Sequence, residues 1–287
     1  MDRNKVIKKI GLIANINKAQ AFEVMNKVCD YLDGQNKSYI LDEASACLLD
    51  RKVENKAYEV LIDFVDVVIV FGGDGTFLKA ARTFANSDTP ILGINLGQLG
   101  FLTDIEINRL EEGLNKLLAG QYIIEERMIL EGTVIRKGKV VNKVIAINDL
   151  VINKGPFSRI INLESYIDNE YITTYPGDGL IIACPTGSTA YSLSAGGPIV
   201  NPKMKSLIIT PICPHTLNSR SIVTTEDEEI MVKVDADHNE VMLTVDGQDS
   251  FPILSKDIIK INKSELVAKM MKLEGYNFYK ILHNRLQ

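Results

Sequence analysis

Val65–Leu78 reads VDVVIVFGGDGTFL, and the fold of the first half of the chain follows from it. Val67–Phe71 is a short, unbroken apolar run rich in β-branched residues, the pattern of a strand buried on both faces. It stops at Gly72-Gly73-Asp74-Gly75-Thr76, after which Leu78, Ala81, Arg82 and Ala85 recur at helical spacing. Strand, glycine turn, helix is the layout that aims main-chain N–H groups and a helix N-terminus at an anion. Glycine permits positive φ and close approach of a phosphate to the backbone, so Gly72, Gly73, Gly75 and Thr76 are the candidate phosphate-binding residues. Asp74 is the odd member. A fixed negative charge beside phosphate is unfavourable unless it accepts a proton, orients a hydroxyl or holds Mg²⁺. Local physics leaves a second reading open, a tight turn that uses Gly and Asp because both suit turns.

Around this stretch the first hundred residues alternate strand and helix. Lys9–Asn15, Lys37–Leu41 and Pro90–Ile94 read as further strands. Between them, Ala21, Val24, Met25, Val28 and Leu32 repeat at helical spacing with Gly34 as a stop, and Ala46, Leu49 and Val53 suggest a second helix. The alternation predicts a parallel sheet covered by helices, with ligands bound beyond the carboxyl ends of the strands, where GGDGT falls. No GxGxxG is present, which argues against an ordinary dinucleotide fingerprint. Asn108 and Glu111 have capping-box spacing for a helix through Leu117, ended by Gly120.

From Tyr122 the pattern changes. Arg127–Arg136, Val140–Ile147, Leu150–Asn153, Ile161–Ile167 and Tyr171–Tyr175 are strand-like, with turns at Lys137-Gly138, Lys154-Gly155 and Asp168-Asn169. Ile230–Val234, Glu240–Val245 and Ile258–Ile261 follow, with a hairpin signal at Asp246-Gly247. The expected architecture is an α/β domain over 1–103, completed by the tail 264–287, and a β-rich domain over 104–263. A last helix over 276–286 should pack back on the first domain.

With 287 residues, 46% hydrophobic and 24% charged, the chain has ample core for two domains. A net charge of −5 argues against nucleic-acid binding. Cys29, Cys47, Cys184 and Cys213 lie far apart with no metal-ligand spacing, so they read as reduced thiols. The apolar stretch after Lys5, Lys8 and Lys9 is too short for a signal peptide, and no run approaches a membrane span. A cytoplasmic protein with no membrane partner is expected.

Gly177–Val200 reads GDGLIIACPTGSTAYSLSAGGPIV. Its many small residues bury little apolar surface but allow close backbone approach and supply hydroxyls. Thr186, Ser188, Thr189, Ser192 and Ser194 could bind a polar ligand, and Tyr191 could stack on a ring; the other reading is a Ser/Ala-rich helix packed tightly on a sheet. Asp178, between two glycines, repeats the pattern of Asp74 and suggests that two acids, one per domain, grip sugar hydroxyls in a cleft.

Taken in order, GGDGT, GINLGQLGFLTD (Gly93–Asp104), AINDLVI (Ala146–Ile152), GDGLIIACPTGSTAYSLSAGGP and PICPHTLNSR (Pro211–Arg220) resemble the NAD kinase family. GGDGT alone occurs in several kinases, but the full set spans about Gly72 to Gln248. The resemblance implies an α/β N-terminal domain with a parallel sheet plus a β-sandwich-like C-terminal domain. It implies transfer of the γ-phosphate of ATP to the 2′-hydroxyl of the adenosine ribose of NAD, with Mg²⁺, giving NADP and ADP. It also implies a homodimer or homotetramer active in NADP biosynthesis. By the same resemblance Asp74 matches the catalytic proton acceptor, with Gly75 beside it, and Phe101 lies near the adenine. Asn148 and Asp149 match an Asn-Glu pair that holds the adenosine ribose, and Asp178 matches an aspartate that reaches NAD. Thr189, Ala190, Tyr191, Ser192, Leu193 and Ser194 match the strip along the dinucleotide; Gln248 and Arg159 match further contacts. This chain departs from the commoner pattern at Asp149 for Glu, Pro176 for a basic residue, Cys184 for Thr and Ser221 for Pro. A lipid kinase using the same glycine turn and a non-catalytic NAD(P)-binding sensor are the competing readings. The reference pKa of an aspartate, about 3.9, lies far below that of a sugar hydroxyl, so a carboxylate in this role accepts the proton late, as the P–O bond forms.

Overall fold

The chain is described here by a computed structural model covering residues 7–49, 51, 53–97, 100–155, 159–238, 240–275 and 277–286, the last without its side chain. Gln98 and Leu99 of the Gly93–Asp104 motif, and Tyr276 at the start of the expected tail helix, lie outside the described residues.

Two compact units form, 1–126 with 268–287, and 127–267. The first extends to 126 where the sequence suggested 103. The reason is packing: Leu110, Leu114 and Leu117, on the helix Leu110–Leu118, join the core of the parallel sheet together with Ile105. In this unit Val67–Gly72 is buried at all six positions. It pairs in parallel with Lys9–Ala14 on one side and Ile91–Asn95 on the other. Ser38–Asp42 and then Asn55–Lys56 extend the sheet beyond Lys9–Ala14. The chain thus winds outward from Lys9–Ala14, then returns to lay Val67–Gly72 on that strand's other side. The reversal between these two strands is the switch point at which ligands bind in open α/β sheets. Ala21–Gly34 covers the sheet with Ala21, Val24, Met25, Val28, Cys29 and Leu32, the spacing seen in the sequence.

Helix ends differ from expectation in three places. Gly34 is the last residue of the first helix but carries no left-handed φ. The left-handed residue is Asn36 (φ 53°), with Lys37 N–H donating to Leu32 O and Asn36 N–H to Asp33 O. The second helix, Glu43–Leu49, stops before Val53. The capping box at Asn108 does not form: a 3₁₀ turn, Ile107–Arg109, takes up Asn108, and the α-helix starts at Leu110 without a side-chain cap. Gly120 does end that helix in the expected way, with φ 73° and Gln121 N–H donating to Lys116 O.

The second unit is a sandwich of antiparallel sheets. Ile222–Thr225, Ser206–Ile212, Gly179–Ala183, Asp149–Asn153, Val241–Val245 and Asp249–Ile253 lie side by side in that order. Leu150, Ile152, Leu180, Ile182, Leu207, Ile209 and Leu243 project from one face of this sheet. They meet Leu130, Val134, Ile161, Leu163, Val232, Ile259 and Ile261 from the strands of the other sheet. The opposite face of the first sheet is apolar too, with Val151, Ile181, Ala183 and Ile208 covered by Val200 and Ala195. The small residues of Gly177–Val200 therefore let a segment fold closely over a strand trio. Both dipeptide turns at Lys137-Gly138 and Asp168-Asn169 carry positive φ at each central residue, as hairpins of type I′ require.

Ile182 is fully buried between the two sheets. Ile182→Ala is expected to lower the unfolding free energy by about 2–5 kcal/mol, the range for truncating a packed aliphatic side chain. Urea denaturation measures it, and a loss below about 0.5 kcal/mol would mean that the sheets do not share this core.

Candidate active site

In the first unit the candidate residues collect where Val67–Gly72 ends. Gly73 (φ −111°, ψ −170°) stands ahead of the helix Asp74–Thr83, and Asp74 is its first residue. The glycines serve proximity and not left-handed backbone. Neither Gly72 nor Gly73 has positive φ, and a Cβ on Gly72 would lie 2.3 Å from Thr76 Oγ1. That oxygen accepts a 3.3 Å hydrogen bond from Asn15 Nδ2, just beyond the neighbouring parallel strand, so the turn is tied across the switch point.

The Asp74 carboxylate is clasped by a second loop. Phe101 N–H donates to Oδ2 at 2.9 Å and Leu102 N–H to Oδ1 at 3.1 Å. A Cβ on Gly100 would fall 1.9 Å from Asp74 Oδ1, which is why the loop can come this close only with glycine there. One main-chain donor per oxygen fixes the plane of the carboxylate and leaves each oxygen further acceptor capacity. Asp74 and Thr76 are half-buried and Gly75 is exposed. The Phe101 ring packs on Phe278 of the tail helix, centroids 6.1 Å apart.

In the second unit the site is built around Asn148 and Asp149. The buried Asp246 carboxylate accepts from Asn148 N–H at 2.7 Å, Ile147 N–H at 3.1 Å and Asp149 N–H at 3.2 Å. Asp246 and Gly247, with φ 49° and 66°, form the hairpin turn seen in the sequence, and this left-handed turn carries Asp246 beside the segment. On the other side of that segment Cys184 N–H donates to Asn148 O at 3.0 Å, and the Cys184 thiol donates to Ile147 O at 2.8 Å. Burial pushes that thiol up to about 11, so it stays a protonated donor and stands in for the hydroxyl of the more usual threonine. A Cβ on Gly187 would lie 2.1 Å from Asn148 O. Asp246 holds three successive amides on one side, and Cys184 holds two carbonyls on the other.

Asn148, Asp149, Ala190 and Tyr191 line one cavity of about 230 Å³ together with Thr244, Asp246 and Gly247. Burial, and then the neighbouring Asp246 charge, push the Asp149 carboxyl up to about 7. Asp246 takes three main-chain donors, and its charge beside the buried Asp149 favours the protonated form of the latter. Sequence reasoning saw Asp246 only as a turn residue, and nothing in a lone Asp-Gly pair marks a carboxylate that organises another loop.

The remaining candidates divide. Tyr191 and Ser194 are exposed and Leu193 is half-buried. Ser192, expected to face the dinucleotide, is fully buried and shares a 2.9 Å hydrogen bond with Thr210. Ser188 likewise turns inward, to Pro185 O and Val200 O. Ser192 thus ties the segment to the strand Ser206–Ile212 through Thr210, and Ser188 ties the segment to itself. Thr189 Oγ1 donates to Thr186 O at 3.4 Å. Asp178 pairs with Lys154 Nζ at 2.7 Å. Arg159 and Gln248 are exposed and lie outside the cavity lining. Among the described residues, no group of three or more His, Cys, Asp and Glu side chains could hold a metal ion.

Residues 10–122 match the ATP-NAD kinase N-terminal domain and residues 147–273 the ATP-NAD kinase C-terminal domain. The chain belongs to the NAD kinase family. An NAD kinase of Moorella thermoacetica is 46% identical over 98% of this chain and 90% of its own length. One of Natranaerobius thermophilus is 43% identical over 98% of both. Yeast NADH kinase complexed with NADH superposes with a TM-score of 0.88 at 25% identity, covering 99% of this chain and 88% of that one. An NAD kinase from Archaeoglobus fulgidus in complex with ATP shares the fold, with a TM-score of 0.76 at 22% identity over 97% and 98% of the two chains. Both clasped carboxylates fall inside the segments that match the NAD kinase domains, Asp74 in the first and Asp246 in the second.

The raised Asp149 carboxyl links folding to pH. The folded state keeps a proton that the unfolded chain loses near the ordinary Asp value of 3.8, so this group's contribution is full below that pH and is lost as pH rises through about 7. Asp149→Asn removes the linkage. Between pH 4 and 8 the wild type should lose stability relative to Asp149→Asn by on the order of 1–4 kcal/mol, measured by urea denaturation at each pH; parallel curves would refute the assignment.

Proposed function

We propose that this chain transfers the γ-phosphate of ATP to the 2′-hydroxyl of the adenosine ribose of NAD, giving NADP and ADP. NAD kinase activity follows from family membership across both domains, and nothing favours a lipid kinase or a non-catalytic sensor. The observation that carries the mechanism is the half-buried Asp74 carboxylate, fixed by two main-chain N–H groups at the end of a buried parallel strand.

Asp74 is the proton acceptor. Its carboxylate orients the attacking hydroxyl and takes the proton late, as the bond to phosphorus forms. The clasp holds its plane, so little reorganisation is needed when charge moves, and positioning supplies much of the rate. Gly72, Gly73, Gly75 and Thr76 lie at a helix N-terminus, whose N–H groups and dipole favour the phosphates of the donor. Asn148 and Asp149 hold the adenosine ribose from a segment whose main chain is already fixed. With its carboxyl raised to about 7, Asp149 is protonated in part near neutral pH and can donate as well as accept there. Ala190 and Tyr191 face the same cavity and make the dinucleotide contacts. Phe101, Asp178, Thr189, Leu193, Ser194, Gln248 and Arg159 complete the contacts that the family resemblance implies. Mg²⁺ enters as part of the nucleotide substrate, MgATP, and screens its phosphate charge.

The same resemblance extends the proposal to a homodimer or homotetramer in the cytoplasm. Among the described residues no helix is long and apolar enough to cross a membrane.

Purified protein with NAD, ATP and Mg²⁺, read by an NADP-specific dehydrogenase, should form NADP. Asp74→Asn should lower kcat by about 10²–10⁴-fold, the usual range for one acid–base group. Asp74→Asn turning over near the wild-type rate would end the proton-acceptor role.

A further inference from the structure

Lys272 is 1% exposed and lies near the end of the strand Ile258–Leu273, in the part that belongs to the first unit. Burying an ammonium is costly unless it is paired and hydrogen-bonded, and a methionine would fill similar space without that cost. Its Nζ donates to Leu102 O at 2.7 Å and faces Asp104 Oδ1 at 3.7 Å. Leu102 is the residue whose N–H donates to Asp74 Oδ1. One residue therefore carries the buried ammonium on its carbonyl and the Asp74 carboxylate on its amide.

The rest of the loop is tied down in the same region. Asn95 Nδ2 donates to Thr103 Oγ1 at 2.9 Å, and Gly100 N–H donates to the same oxygen at 3.3 Å. Asp104 N–H donates to Gly93 O at 2.9 Å, and the Asp104 carboxylate accepts from Leu273 N–H. These contacts anchor the loop's ends. Between them, at the residue whose N–H meets Asp74 Oδ1, the Lys272 ammonium holds the Leu102 carbonyl.

We propose that Lys272 is a positioning residue for Asp74, acting through the Leu102 carbonyl to set the angle of the Phe101–Leu102 clasp. The inference rests on Asp74 being the proton acceptor. Displacing a reacting group by a fraction of its working geometry costs rate and not binding, because the bound substrates are held by other residues.

The test is a double-mutant cycle on the full chain with NAD and MgATP, NADP being read by coupled assay. Lys272→Met should lower kcat about 10–100-fold, with KM for both substrates within about threefold. In an Asp74→Asn background the same change should cost no further activity, because the clasp then positions nothing that accepts a proton. A Lys272→Met enzyme with wild-type kcat overturns the proposal. So does a Lys272→Met loss that multiplies the Asp74→Asn loss by its full factor, the mark of a purely structural lysine. Circular dichroism checks folding. If Lys272→Met does not fold, Lys272→Gln, which keeps a neutral N–H donor, enters the same cycle with the same expected coupling and a smaller loss. Asp74→Asn at wild-type kcat would remove the reading beneath the proposal. Asp74→Asn impaired beside a normal Lys272→Met would remove the proposal alone.

Discussion

A carboxylate held by main-chain N–H groups is the interaction around which the first unit is arranged. For Asp74 to be held at the first residue of a helix, the preceding strand must end abruptly, and Val67–Gly72 does so because Gly72 lets Thr76 pack against the strand end. For the clasp to reach it, Gly100 must lack a side chain and the following loop must be fixed on strands that lie behind it. The parallel sheet supplies both requirements. Its buried strands are rigid along their length, and all their carboxyl ends open on one edge, where the turns can meet.

The second unit uses the same physics for a different end. Asp246 is buried and takes three successive N–H groups, so its carboxylate is committed to holding main chain, whereas half-buried Asp74 takes one donor per oxygen and keeps further acceptor capacity. Burial and the neighbouring charge also decide where a proton sits. Asp149, buried and close to the Asp246 charge, is pushed toward neutrality. A shorter acid at position 149 than the family's usual glutamate is thereby matched to a segment whose position is set by its backbone, not by side-chain reach.

Local patterns carried much of this in the sequence. VVIVF reads as a doubly buried strand because a parallel strand covered by helices has no wet face. Lys137-Gly138, Asp168-Asn169 and Asp246-Gly247 read as hairpins because left-handed backbone restricts residue choice at each position. What was not legible depends on partners distant in the chain. Asn108 and Gly34 have the right identities for helix caps, but the N-cap falls one residue later, on Arg109, and the left-handed turn falls on Asn36. Ser188 and Ser192 look like ligand hydroxyls until the apolar sheet beneath them turns both inward. The first unit's reach to 126 follows from the leucines of Leu110–Leu118, whose spacing announces a helix but not the sheet it covers.

Lys272 shows why such sites escape local reading most completely. In a strand a lysine between apolar neighbours reads as the polar member of an inside–outside alternation, yet here Met270, Met271, Lys272 and Leu273 are all buried. The strand ends inside the first unit, beside Ile91 of the parallel sheet, where neither face is wet. A charge placed there adds nothing to packing and must be offset by its contacts, Leu102 O and Asp104. Asp104 in turn is raised by its own burial and lowered by Lys272, so each charge makes the other tolerable. Apolar residues would satisfy the core more simply. They would leave the Leu102 carbonyl without the ammonium, and so remove one tie on the residue whose own N–H holds Asp74 Oδ1.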